Sequence, residues 1–150
     1  MAHLIIKPAG DIVKQWTPSA GTTHYTLLDE GMLSKNITDY IVDSVATHED
    51  RFQPNVSISD SLTDNITDIT LYLYVLSDDI TSNPGLTIKF YQDGVEVVSE
   101  SFCVNTGGAW HTCTFEFTGL DLDPADGELQ IGLIVIEDTI PPSLPSPVQS

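Results

Sequence analysis

The sequence predicts an all-β protein, a jelly-roll-like β-sandwich followed by an extended, Pro-rich C-terminal tail. Three observations predict it. Apolar residues recur with a period of two over several separate runs, the pattern of strands with one face turned to a core. Gly, Pro, Asn and Asp cluster between those runs, where turns need them. No stretch carries a convincing 3.6-residue periodicity, so many short strands and few or no helices follow.

In the first half the expected strands are short: Leu4-Ile5-Ile6, Ile12 to Trp16, His24 to Leu28, Tyr40-Ile41-Val42, Arg51-Phe52 and Asn55 to Ser59. Pro8, Pro18, Pro54 and Pro84 fall between these runs, where a missing N–H breaks no ladder. Asp60 to Asp68 is rich in Thr, Asn and Asp and reads as a loop. The second half is more regular. Ile69 to Leu76 has aliphatic residues at odd positions and Thr, Tyr, Tyr, Leu at even ones, as a central sandwich strand does. Leu86 to Tyr91 alternates, and Asp93-Gly94 supplies the pair that tight hairpins favour before Glu96 to Val104 returns. After Asn105-Thr106-Gly107-Gly108, a further turn signal, Trp110 to Thr118 places Cys113, Phe115 and Phe117 on one face. Leu129 to Ile136 is almost continuously apolar, the signature of a buried strand. These elements define one sandwich domain over residues 1–140. Residues 141–150 form a Pro-rich tail that cannot continue a sheet and prefers a polyproline-like path. Pro141, Pro142, Leu144, Pro145 and Pro147 are its candidate contacts if the tail lies on a neighbouring subunit.

Composition narrows the function classes. Apolar residues make up 41% of the 150, enough for a packed core. Five basic against 22 acidic residues give a formal charge of −17, a field that repels nucleic acid, whose phosphates must be neutralised by Lys and Arg. Asp outnumbers Glu and Lys is scarce, a bias compatible with a high-salt environment that screens self-repulsion. No apolar run approaches the roughly 18 residues of a membrane span. The N-terminus, Met1 to Lys7, lacks the apolar region and cleavage site of a secretory signal, so synthesis in the cytoplasm is expected. In that reducing setting Cys103 and Cys113, which would lie close if their strands paired, read as free thiols.

Reactive constellations are few. His24 with Asp29 and Glu30, and His48 with Glu49 and Asp50, lack an activated Ser or Cys, and no Gly-x-Ser-x-Gly elbow occurs. His48-Glu49-Asp50-Arg51 reads as a solvated loop with a local ion pair. Asp78-Asp79, adjacent on a strand, would point to opposite faces and so make no glycosidase pair. No phosphate-cradling Gly loop appears. The sequence therefore points away from an enzyme. The best cation candidate is the run Asp121, Asp123, Asp126 and Glu128, alternating acids around Gly127 such as a calcium ion would take, although the spacing is not that of an EF-hand. Asn36, Asn55 and Asn65 sit in Asn-x-Ser/Thr triplets, which a chain this rich in Asn, Ser and Thr produces by chance.

One block is distinctive. The core Trp16-Thr17-Pro18-Ser19-x-Gly21-x-x-His24-Tyr25, followed by Asp29-Glu30 and by Asp39-Tyr40-Ile41, resembles a β-rich module of virion structural proteins in tailed bacteriophages and related archaeal tailed viruses. Lys7 to Ile12, the aromatic loop Gly108 to Thr112 and the closing Leu129 to Leu133 extend the resemblance over about residues 5 to 136. Its acidity and proline tail depart from the pattern. The resemblance implies a non-enzymatic virion protein: a capsid decoration or head-associated subunit that self-associates and binds the major capsid protein, or alternatively a tail or fibre subunit. In that reading Trp16, Tyr25 and Leu27 fill a core and Pro18 to Gly21 make a turn. A different class, the carbohydrate-binding module, would instead require exposed aromatic platforms, for which Tyr72, Tyr74, Tyr91 and Trp110 are the candidates.

Overall fold

The computed structural model describes residues 8–19, 21–23, 41–42, 48–54, 57–58, 62–76, 85–104, 109–136 and 148–149. The strands are β1 (Pro8–Lys14), β2 (Thr17–Pro18), β3 (Ile41–Val42), β4 (Glu49–Pro54), β5 (Ile69–Val75), β6 (Gly85–Gln92), β7 (Val95–Cys103), β8 (His111–Phe117), β9 (Leu129–Ile136) and β10 (Val148–Gln149). A 3-10 turn, Pro124–Asp126, precedes β9. The strands form two five-stranded antiparallel sheets, in the order β1-β4-β9-β6-β7 for the first and β2-β3-β10-β5-β8 for the second.

The connectivity is that of a jelly roll. Eight strands pair as one long nested hairpin: β6 with β7, β5 with β8, β4 with β9, and β3 with β10. Rolling that hairpin brings β6 beside β9 and β5 beside β10, which closes the two sheets. The hairpin's tip is the two-residue turn Asp93-Gly94, with φ of 51° and 75°. Both angles are positive, as a type I′ turn requires, and this is the Asp-Gly signal of the sequence. Strands β1 and β2 add an outer edge to each sheet.

Alternation decides what lies between the layers. Leu86, Ile88 and Phe90 of β6 and Phe52 of β4 face Leu73 and Val75 of β5 and Phe115 and Phe117 of β8 in one continuous core. Phe90 meets Phe117 edge to face at 4.9 Å, and Phe102 of β7 lies 4.8 Å from Phe115. These contacts join the sheets, with the offset geometry that the ring quadrupoles favour.

Four expectations are corrected. Glu49 to Pro54 is a strand flanked by β1 and β9, where a solvated loop was expected around His48 to Arg51. Pro8, Pro18 and Pro54 lie inside strands, yet only on the edge strands β1 and β2 or at the last position of β4, where a missing N–H is tolerated. Cys103 and Cys113 end up in different sheets, because the chain crosses from one layer to the other between β7 and β8, with no hairpin there; both are free thiols. Val148 and Gln149 lie within the second sheet, where the composition of the tail predicts a path outside it. Those two residues follow the last proline and carry the N–H groups that a ladder needs. The expected strands at Leu4 to Ile6 and His24 to Leu28 lie outside the described residues.

Candidate functional site

The acidic run is built as a strapped turn. Asp123 Oδ1 accepts from the Ala125 N–H at 2.9 Å, capping the 3-10 turn. The buried Gln92 side chain donates to the carbonyl oxygens of Asp123 and Gly127 at 2.9 and 3.1 Å. Asp121 accepts from Asn65 Nδ2 at 2.6 Å, while Glu128 is turned to Ser57 Oγ and the Ile58 N–H at 2.8 and 2.7 Å. Asp126 stays on the exposed side of the turn. The proposed ligands Asp121, Asp123 and Glu128 thus have protein partners in different directions, and among the described residues no group of three or more His, Cys, Asp or Glu converges. The tail candidates Pro141, Pro142, Leu144, Pro145 and Pro147 lie outside the described residues, as do His24, Asp29, Glu30 and Asp78-Asp79.

The Trp16 block has an architectural centre. Between β1 and β2 the chain leaves the first sheet for the second, and Asp50 holds that crossing. Its carboxylate, fully buried, accepts from the N–H groups of Gln15 and Trp16 at 2.7 and 2.8 Å. Gln15 Oε1 accepts from the Glu49 N–H at 2.8 Å, and Trp16 is buried in the core. A charge taken out of water is tolerated because several donors satisfy it.

On the outer face of the first sheet the register aligns Arg51, Gly132 and Lys89 across three strands. Arg51 Nη2 lies 2.9 Å from Glu49 Oε1, and its guanidinium sits 3.6 Å from the centre of the Tyr91 ring. The Tyr91 hydroxyl donates to Glu49 Oε2. Burial, that hydrogen bond and the negative charge of Glu49 push the Tyr91 hydroxyl up to about 12. Lys89 pairs with Glu96 at 2.7 Å. Both cations are therefore spent on neighbouring acids. Tyr91, one of the four candidate platform aromatics, is only 7% exposed and cannot serve as an open platform.

The outer face of the second sheet is different in kind. Its strands carry one charged residue, Glu116, whereas the first sheet carries Asp11, Lys14, Glu49, Asp50, Arg51, Lys89, Glu96 and Glu100. Leu71, Leu73 and Val75 of β5 alternate inward, which turns Thr70, Tyr72 and Tyr74 outward; Thr112, Thr114 and Glu116 of β8 stand opposite Tyr74, Tyr72 and Thr70. Trp110, just before β8, stacks on Tyr74 with centroids 5.3 Å apart and planes 15° apart. Tyr72 is 44% exposed. The period-two reading of β5 contains this arrangement, but only the pairing with β8 brings Trp110 onto Tyr74.

No protein-family model matches the chain, and no curated protein matches it. Among solved structures, CBM35 from Paenibacillus barcinonensis, a carbohydrate-binding module, superposes with a TM-score of 0.42 over 96% of this chain and 94% of that chain, at 13% sequence identity. So loose a superposition carries no functional argument.

Proposed function

We propose that this chain is a non-enzymatic virion structural protein, a capsid decoration or head-associated subunit that self-assembles and binds the major capsid protein. The observation that carries the reading is the place of the Trp16 block, the most distinctive part of the resemblance. Trp16, the first residue of that block, is buried in the core, and Asp50 accepts from its backbone N–H where the chain crosses between the two sheets, which supports a building role for it. Repeated around a symmetry axis, such units bind a shell by summing weak contacts. A tail or fibre subunit would use the same body. The test is the mass of the purified chain in solution, alone and with emptied shells of the major capsid protein. Co-sedimentation with shells at saturating stoichiometry is expected; a permanent monomer without affinity for shells refutes the reading.

One specific observation favours a second reading, a carbohydrate-binding module. Three of the four candidate aromatics, Tyr72, Tyr74 and Trp110, share one outer face, and Tyr72 is open to solvent. Retention on immobilised polysaccharide is the measurement that decides it.

A further inference from the structure

We propose that the outer face of the second sheet is a binding surface for an uncharged pyranose glycan, with Tyr72 and the Tyr74–Trp110 stack as its aromatic platform. The inference rests on the carbohydrate-binding reading and narrows it to neutral sugars; a virion subunit held to its shell by its edges could present the same face outward.

Charge selects the ligand class. Of the basic residues described, Lys14, Arg51 and Lys89 all belong to the first sheet, and the strands of the second contribute no cation. A glycan bearing carboxylates or sulfates would meet a field of −17 with no counter-charge from the described residues of this face. A second copy of the chain would bring the same charge again. An uncharged sugar has neither cost.

The chemistry of the face matches what remains. A pyranose ring offers a flat patch of C–H bonds, weakly positive, which complements the negative face of an aromatic ring. Around that patch runs a rim of hydroxyls that both donate and accept hydrogen bonds. The cross-strand pairs Tyr72–Thr114 and Tyr74–Thr112 set a ring beside a hydroxyl twice in succession, and Thr hydroxyls likewise donate and accept. Stacking fixes Tyr74 and Trp110 before any ligand arrives, which lowers the ordering cost of binding. Glu116, opposite Thr70, adds an acceptor at the far end of the row.

The test is native affinity electrophoresis of the full chain in gels containing hydroxyethylcellulose, dextran or mannan, with alginate as the anionic counterpart. Retardation by at least one neutral polymer is expected, unchanged in high salt, absent with alginate, and weakened at least tenfold by Tyr72→Ala. Tyr72 is exposed, and a melting curve verifies that this variant folds. Retardation by alginate would overturn the restriction to neutral sugars and leave the carbohydrate reading standing. Neutral binding that survives both Tyr72→Ala and Trp110→Ala would place the sugar elsewhere on the molecule. No retardation by any polymer would refute the inference and the reading together.

Discussion

Asp50 in β4 accepts a hydrogen bond from the backbone of Trp16 at 2.8 Å, across the point where the chain passes from one sheet to the other. The same carboxylate takes the Gln15 N–H at 2.7 Å. Asp50→Ala would leave these donors without their partner, one of them buried, and hydrogen bonds to a charged acceptor are the strong kind. The expected loss is about 3 kcal/mol, which for a chain of this size lowers the melting temperature by roughly 10 °C. Asp50→Asn keeps one acceptor oxygen and should lose less than half as much. Thermal melts of both variants check the order; equal losses would mean that the negative charge, which Asn lacks, and not the acceptor oxygen alone, is what Asp50 supplies.

How much of this was legible beforehand depends on the range of the interaction. Alternation in Ile69 to Val75 and Leu86 to Tyr91, and the Asp93-Gly94 turn, are local signals, and each appears as read. The paired sheets follow from them. Asp50 could not be read in the same way: its neighbours His48, Glu49 and Arg51 give a solvated composition, and only pairing with β1 and β9 buries it. Gln92 is likewise one polar residue at a strand end until the turn at Asp123 to Gly127 folds onto it. Cys103 and Cys113 mislead for the opposite reason, since proximity in sequence says nothing about which sheet each strand joins.

Gly132 is held at its size by Glu49 and Tyr91. A β-carbon there would collide with the Glu49 carboxylate and lie 3.0 Å from Tyr91 Cε2. Gly132→Ala should therefore displace the Arg51–Glu49–Tyr91 cluster at a cost of about 2 kcal/mol. Because the clash is with one side chain, Glu49→Ala should relieve part of it. A double-mutant cycle by urea unfolding measures the coupling, expected at about 1 kcal/mol in the relieving direction. Strict additivity would show that the Tyr91 ring, not Glu49, is the obstacle.

Tyr91 makes alkaline stability specific to one hydroxyl. Its folded value of about 12 lies above the ordinary tyrosine value of 10.0, so between these values the folded protein keeps a proton that the unfolded chain has released. The contribution is complete below pH 10 and is lost as pH rises through about 12. The Glu49 carboxylate and the Arg51 guanidinium face this hydroxyl and would have to rearrange around a phenolate. Tyr91→Phe has no proton to lose, so the stability of wild type should fall relative to the variant between pH 10 and about 12. Parallel denaturant curves for the two proteins over that interval would contradict the assignment.

The strapped turn at Asp123 to Gly127 predicts indifference to calcium. Asp121 and Glu128 already accept protein hydrogen bonds, as do the carbonyl oxygens of Asp123 and Gly127. A ligand that binds the folded state raises its melting temperature in proportion to the logarithm of its concentration. Calcium at millimolar concentration should leave the melt unchanged. Gln92→Ala should lower stability by about 2 kcal/mol through the two lost carbonyl partners, again without creating a calcium response. A calcium-dependent rise in either protein would restore the acidic run as a metal site.

Strand β10 provides the sharpest contrast with a tail that stays outside the sheet. Val148 pairs with both Ile41 and Val75, and Gln149 with Tyr74, so among the described residues β10 alone joins β2 and β3 to the rest of the second sheet. It is also the partner of β3 in the outermost of the four nested pairs. Removing residues 148–150 should therefore destabilise the protein by about 2 kcal/mol, a sum of several cross-strand pairs and ladder bonds. Hydrogen exchange should show the loss concentrated at Ile41 and Val42 and along the Val75 end of β5, while β6 and β7 in the first sheet stay protected. A truncated chain that melts with wild type would mean that the second sheet holds without its closing strand, and that the sandwich ends at β9.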